Sequence, residues 1–187
     1  MDFEVLVNKD NLLPKSFKPE LYVVDENENN FHKYVDPLEK PRLSIYVKPY
    51  LDAMLAAAAF DGNYIIVDSG YRSYEYQEKI LAANIEKKGM EAYNFVQVPG
   101  ASEHQTGLAI DIAYFKDNKY SDDVKESDKE IKGMNDNAYK YGFILRYPKD
   151  NESITGIKHE PWHYRFVGVE TAKIIHDNNL TLEEYKK

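Results

Sequence analysis

Residues 158–165 read KHEPWHYR, and within them His159-Glu160-Pro161-Trp162-His163 spells H-E-x-x-H. On a helix that pattern sets two imidazoles and a carboxylate on one face around a metal. Pro161 would sit in the middle of such a helix. Its ring clashes with the carbonyl of Ile157 and it lacks an N–H, a cost of about 3 kcal/mol or more. It also drives Glu160 out of the α region. A helix could begin at Pro161, but His159 would then lie outside it. His159 and His163 therefore cannot share a helical face. The stretch instead predicts a turn leading into a strand, WHYRFVG (162–168), with His163 and Arg165 on one face and Trp162 and Tyr164 on the other. Glu160 falls in the turn before it. One imidazole and one carboxylate cannot hold a metal alone, so the remaining ligands must come from elsewhere.

The best partners lie in PGASEHQTGLAIDIAYF (99–115). His104 sits in a polar turn. Asp111 sits in a strand with Ala109 on its face, while Leu108 and Ile110 point the opposite way. An aspartate inside an apolar strand is costly unless it is paired or metal-bound. Gly107 and Ala109 would leave room for an ion. His104, Asp111 and His163 would supply two imidazoles and a carboxylate and leave a fourth position for water, the form of a catalytic zinc site. Glu160 would be the base acting on that water. A plainer reading fits the same letters: Asp111 caps a backbone or pairs with Arg72 or Arg165, and the histidines are satisfied core residues. Residue chemistry alone leaves both open.

Outward from these stretches, VKPYLDAMLAAAAFDG (47–62) carries apolar residues at helical spacing and stops at Gly62. NYIIVDSG (63–70) predicts a short buried strand, and SYEYQEKILAANIEKKG (73–89) a helix capped by Ser73 and stopped by Gly89. TGLAIDIAY (106–114) and FILRYP (143–148) predict strands; ESDKEIKGMNDNAYKYG (126–142) and VETAKIIHDNN (169–179) predict helices. Thr181 with Glu184 forms a capping box for a last helical turn. Residues 25–45 are polar and proline-punctuated and predict a surface loop or arm. Helices interrupt short strands without βαβ regularity, which favours an α+β fold with an antiparallel sheet.

The 187 residues suit one domain spanning 1–187. A hydrophobic content of 43% with 13% aromatics places the chain among globular proteins. A net charge of −8 gives no basic footprint for nucleic acid or an anionic membrane. The absence of cysteine excludes disulfides and thiolate metal sites, so any metal must use histidine and carboxylate. No apolar run approaches the roughly 18 residues of a membrane span, and residues 1–20 lack a signal-peptide core. The expectation is a soluble cytoplasmic protein, or an extracellular or membrane-anchored one if an export segment has been trimmed.

SGYRSYEYQ, PGASEHQTGLAIDI, YGFILRYP and ITGIKHEPWHYRFVG follow one another as in the VanY-type D-alanyl-D-alanine carboxypeptidases, and LVNKDNLLP and LTLEEY look like that family too. This zinc peptidase family also holds LdcB-type L,D-carboxypeptidases, VanX and VanXY D,D-dipeptidases and some phage endolysins. The resemblance implies a small central antiparallel sheet flanked by helices, D,D-peptidase/Hedgehog-like, with the zinc site in a cleft on the sheet. It implies one zinc per chain on His104, Asp111 and His163, Glu160 as catalytic base, and Arg72 against the substrate carbonyl or terminal carboxylate. Gln77 and Ser102 match positions that hold that carboxylate. Trp162 lines the cleft or packs in the core. His159, His32 and His176 match no ligand position, and Tyr71, Tyr74 and Tyr76 are read as packing residues.

The implied partner is a peptidoglycan stem peptide or precursor ending in D-alanine, processed by a monomer in cell-wall remodelling or vancomycin resistance. Dipeptidases of the family tend to carry an acid immediately before G-Y-R, to receive the free amine of D-Ala-D-Ala. Ser69 stands there, with Asp68 one residue earlier and pointing the other way. That departure favours a carboxypeptidase acting on longer stems, with a bifunctional VanXY-type enzyme or an LdcB-type L,D-carboxypeptidase as alternatives. A phage-type endopeptidase would usually add a wall-binding domain, and a zinc-free wall-binding module would have a broken ligand set.

Overall fold

Strand alternation sorts the charged and apolar residues of this chain onto opposite faces of one sheet. The computed structural model describes residues 1–24, 40–94, 96–116 and 119–187. In chain order the elements are β1 (Leu21–Val23), β2 (Arg42–Ser44), α1 (Lys48–Phe60), β3 (Ile65–Ser69), α2 (Tyr74–Lys88), β4 (Ala109–Lys116) and β5 (Lys119–Ser121). They continue with α3 (Lys129–Asn137), β6 (Phe143–Leu145), α4 (Glu152–Thr155), β7 (His163–Phe166), α5 (Val169–Asp177) and α6 (Leu182–Tyr185). The main sheet runs β3-β4-β7-β6, every neighbour antiparallel, and β5 pairs with the far end of β4. This is the expected α+β architecture with a small antiparallel sheet.

On β4 and β7, Ile110, Ile112, Tyr164 and Phe166 enter the main core, where Leu51, Met54 and Leu55 of α1 and Ile131 and Met134 of α3 cover them. The intervening Asp111, His163 and Arg165 must therefore point to the other face. A second cluster, Ile144, Val167, Ala172, Ile175 and Leu182, docks α5 and α6 beside β6. Ser73 caps α2 by accepting from the Tyr76 N–H at 3.1 Å, and Gly89 closes it, as its sequence signals require. The Thr181–Glu184 capping box is present, with both reciprocal bonds made.

Three expectations change. The surface arm assigned to 25–45 is partly structured: Arg42–Ser44 forms β2, pairs with β1, and fully buries Leu43 and Ser44. Residues 25–39 of that arm lie outside the described residues. The helix assigned to 126–142 is α3 followed by a 3₁₀ turn, Ala138–Tyr141, that stops at Gly142. The strand assigned to 143–148 ends at Leu145, and Arg146 and Tyr147 beyond it are buried. Among the described residues no helix is long and apolar enough to cross a membrane.

Candidate metal centre and active-site cleft

Residues 101–110 are buried without a break, so the segment feeding β4 threads the interior rather than the surface. A 3₁₀ turn over Glu103–Thr106 holds His104 there. The Arg72 N–H donates to the His104 carbonyl at 3.1 Å, and His104 Nδ1 lies 2.7 Å from the Gly70 carbonyl oxygen. A carbonyl only accepts, so Nδ1 carries a proton, and in the neutral ring that burial favours Nε2 holds the lone pair. That lone pair faces Asp111, with 3.2 Å between Nε2 and Oδ2.

Asp111 and His163 are direct cross-strand partners in the β4–β7 ladder, and His163 Nδ1 lies 2.9 Å from Asp111 Oδ1. One ligand atom from each of His104, Asp111 and His163 lies within 4.8 Å of the others. The opposite nitrogens are engaged too, His104 Nδ1 by the Gly70 carbonyl and His163 Nε2 by Glu103 Oε2 at 3.5 Å, which is how metal-binding histidines are usually oriented. Two imidazoles and an ionised carboxylate fit a zinc ion.

Pro161 resolves the turn. The His163 N–H donates to the Glu160 carbonyl at 3.1 Å and the Glu160 N–H to the Tyr147 carbonyl at 3.2 Å. This makes a tight turn with Pro161 at its second position, where a fixed φ is favourable. The turn delivers Glu160 Oε2 to 3.9 Å from His163 Nδ1. His159 is directed elsewhere: its Nδ1 donates to the Tyr147 carbonyl at 2.9 Å, at the rim.

A cleft of about 550 Å³ opens over this group, lined by Arg72, Gln77, Ser102, Glu160, Trp162 and the apolar Ile80, Val96 and Ile157 among others. Trp162 is 36% exposed, a cleft wall rather than a core residue. Arg72 Nη2 lies 3.9 Å from Asp111 Oδ2, and its Nη1 donates to Gln77 Oε1 at 3.0 Å. Gln77 is fixed in turn by donating to the Gln97 carbonyl at 2.7 Å. Ser69 is in register with Asp111 across a β-bulge at Asp68, but it is not part of the cleft wall. Asp68 instead accepts from the Tyr120 hydroxyl.

Burial alone would raise the Asp111 carboxyl, yet His104 and His163 outweigh it and hold it well below the usual range. Burial lowers His104, reinforced by Arg72 and His163 and opposed by Asp111. Burial also works to lower His163, but its bonds to Asp111 and Glu103 prevail and push it up to about 9. Glu160 is raised, first by burial and then by the Asp111 and Glu103 charges, against the pull of His163 and Arg72. An elevated carboxylate beside a ligand set is the environment of a general base.

Some readings need correction. A Cβ on Gly107, whose φ is +69°, would lie 2.9 Å from the Ser44 nitrogen and 3.2 Å from Leu21 Cδ2. That glycine makes room for the β1–β2 ribbon, not for an ion. Arg165 pairs with Glu103 rather than with Asp111. Tyr71 lies against Arg42 and Tyr74 beneath Lys15, whereas Tyr76 is half exposed. His176 stacks on Tyr139 at the surface, and His32 lies outside the described residues.

The sequence reading missed Glu103 and Tyr147. Glu103 is 1% exposed and bonded to Arg146 and Arg165; Tyr147 packs its ring 5.0 Å from that of His163. A lone arginine in each of the apolar strands FILRYP and WHYRFVG was the available signal, by the same cost argument that singled out Asp111.

The profile of VanY, the D-alanyl-D-alanine carboxypeptidases, matches residues 40–169. A putative carboxypeptidase of Bacillus subtilis (strain 168), YodJ, is 42% identical over 181 residues, covering 96% of this chain and 65% of that protein. The chain thus spans just under two-thirds of the length of that relative. The LdcB LD-carboxypeptidase superposes with a TM-score of 0.85 at 41% identity, over 97% of this chain and 84% of that one. A VanY D,D-pentapeptidase variant from a VanB-type resistance cassette, solved in complex with Zn(II), gives 0.82 at 34% identity over the full length of both chains. Matched over most of its length by that profile, the chain belongs to the VanY family of D-alanyl-D-alanine carboxypeptidases.

Proposed function

We propose that this chain is a zinc-dependent carboxypeptidase that removes the terminal D-alanine from peptidoglycan stem peptides or their precursors. The observation that carries the reading is the convergence of His104, Asp111 and His163 within 4.8 Å, with Glu160 3.9 Å from His163 and Arg72 3.9 Å from Asp111, at the floor of one cleft. All of these groups come from a single chain, which suits a monomeric enzyme.

His104 through Nε2, His163 through Nδ1 and Asp111 through its carboxylate would hold the zinc. A zinc ion there supplies Lewis acidity toward a carbonyl and lowers the pKa of water toward about 7. Glu160 takes a proton from the attacking water and returns it to the leaving D-alanine amine. Its raised pKa keeps the carboxylate basic enough for that task. Arg72, braced by Gln77, faces the substrate's oxygens and suits a charge-assisted bond to a terminal carboxylate. Ser102 is buried in the same wall and can donate to that carboxylate. A clasp of this kind favours removal of one terminal residue over internal cleavage.

Mass spectrometry of products from a pentapeptide stem, a tetrapeptide stem and free D-Ala-D-Ala tests the reading. Loss of one D-alanine from the pentapeptide is expected. Cleavage of the tetrapeptide alone would assign L,D-specificity, and preferential cleavage of the dipeptide would assign a dipeptidase.

A further inference from the structure

His163 is held from both sides. Its Nδ1 faces Asp111 at 2.9 Å, and its Nε2 lies 3.5 Å from Glu103 Oε2. The two oxygens of Glu103 have separate tasks. Oε1 accepts from Arg146 Nε and from Arg165 Nη1, both at 2.8 Å, which leaves Oε2 for the imidazole.

Neither arginine is bound to Glu103 alone. Arg146 Nη1 and Nη2 donate to Glu183 of α6 at 2.8 and 2.6 Å. Arg165 Nη2 donates to the carbonyls of Phe3 and Val5 at 3.0 and 2.9 Å. Two guanidinium charges thus face two carboxylates, and Glu103 stays an anion that can only accept. Both imidazole nitrogens face carboxylates, and with a metal on Nδ1 the ring's one remaining proton would stay on Nε2, opposite Glu103.

We propose that Glu103 is a positioning residue for His163: it keeps the proton on Nε2, so that Nδ1 presents its lone pair to the metal. Arg146, Arg165 and, at one remove, Glu183 hold Glu103 in place for that purpose. The inference rests on the reading of His104, Asp111 and His163 as a zinc site. The competing possibility is that Glu103 serves only as a counter-ion for two buried arginines.

Glu103→Gln and Glu183→Gln separate the two. Each removes one anion from Arg146, but only the first touches His163. Zinc affinity by chelator competition and the absorption spectrum of the cobalt-substituted protein are the readouts. Glu103→Gln is expected to bind zinc about 10- to 100-fold more weakly, the usual cost of losing such a partner, with a changed cobalt spectrum. Glu183→Gln is expected to lose thermal stability while keeping wild-type zinc affinity and spectrum. Wild-type affinity in Glu103→Gln, or equal weakening in both variants, would overturn the proposal. Should Glu103→Gln fail to fold, proton–nitrogen spectra of the zinc-loaded wild type decide. A slowly exchanging proton on His163 Nε2 is expected, and a proton on Nδ1 or rapid exchange at Nε2 would overturn it. A wild-type protein that binds no zinc would instead sink the metal-site reading itself.

Discussion

Glu160 Oε2 stands 3.9 Å from His163 Nδ1 across a turn whose corner is Pro161. The proline that forbids a helix is what brings the proposed base and the proposed ligand together. Glu160→Gln keeps the shape and the turn but cannot accept the water's proton. It should retain zinc and fold while turnover falls by about 10²- to 10⁴-fold. Metal content and kcat measured on one preparation check this. Near-wild-type turnover would mean that another group is the base.

His163 and His159 are four residues apart yet have different partners. His163→Ala removes one of the three proposed ligands and should abolish both zinc retention and activity. His159 contacts the Tyr147 carbonyl and no member of the ligand group, so His159→Ala should keep its zinc. Equal metal loss in the two variants would contradict the assignment.

The metal-free protein should depend on pH in a predictable sense. His163 is pushed up to about 9 from an ordinary 6.5, so its proton stabilises the fold fully below 6.5, and that contribution is lost as pH rises through 9. Its size is on the order of 3 kcal/mol. His104 is shifted downward and acts only below its ordinary value, so the two windows do not overlap. Thermal melts of chelator-treated protein should therefore decline between pH 6.5 and about 9. The decline should be much smaller in His163→Gln, and an identical slope in both would refute the linkage.

What the sequence disclosed follows the range of each interaction. Ser73, Gly89 and the Thr181–Glu184 box act within a few residues, and each is found where the letters place it. Asp111 betrayed itself as a charge in an apolar strand. β1 and β2 did not, since each is three residues long and they pair across 18 intervening positions. Glu103 reads locally as an ordinary acid in a helical turn. Its partners Arg146, Arg165 and His163 are 43, 62 and 60 residues away, and only the fold brings them together.

Substrate choice is expected to turn on Arg72 and Ser69. Arg72 is steadied by Gln77 at 3.0 Å and faces the cleft, so a stem ending in a free carboxylate should be cut and its C-terminal amide should not. Arg72→Ala should lower kcat/KM for the pentapeptide roughly 10- to 100-fold, the worth of a charge-assisted hydrogen bond. The amide should be poor even for wild type. Ser69 is in register with Asp111, so a carboxylate there would lie on the ligand face of the sheet and could attract a dipeptide's ammonium. Wild type should prefer the pentapeptide over free D-Ala-D-Ala, and Ser69→Asp should narrow that gap without loss of zinc. The measurement is kcat/KM for pentapeptide, amide and dipeptide on wild type and both variants, with metal content alongside. Efficient cleavage of the amide would remove the carboxylate clasp. Efficient wild-type hydrolysis of the dipeptide would make the enzyme bifunctional and strip Ser69 of any part in specificity.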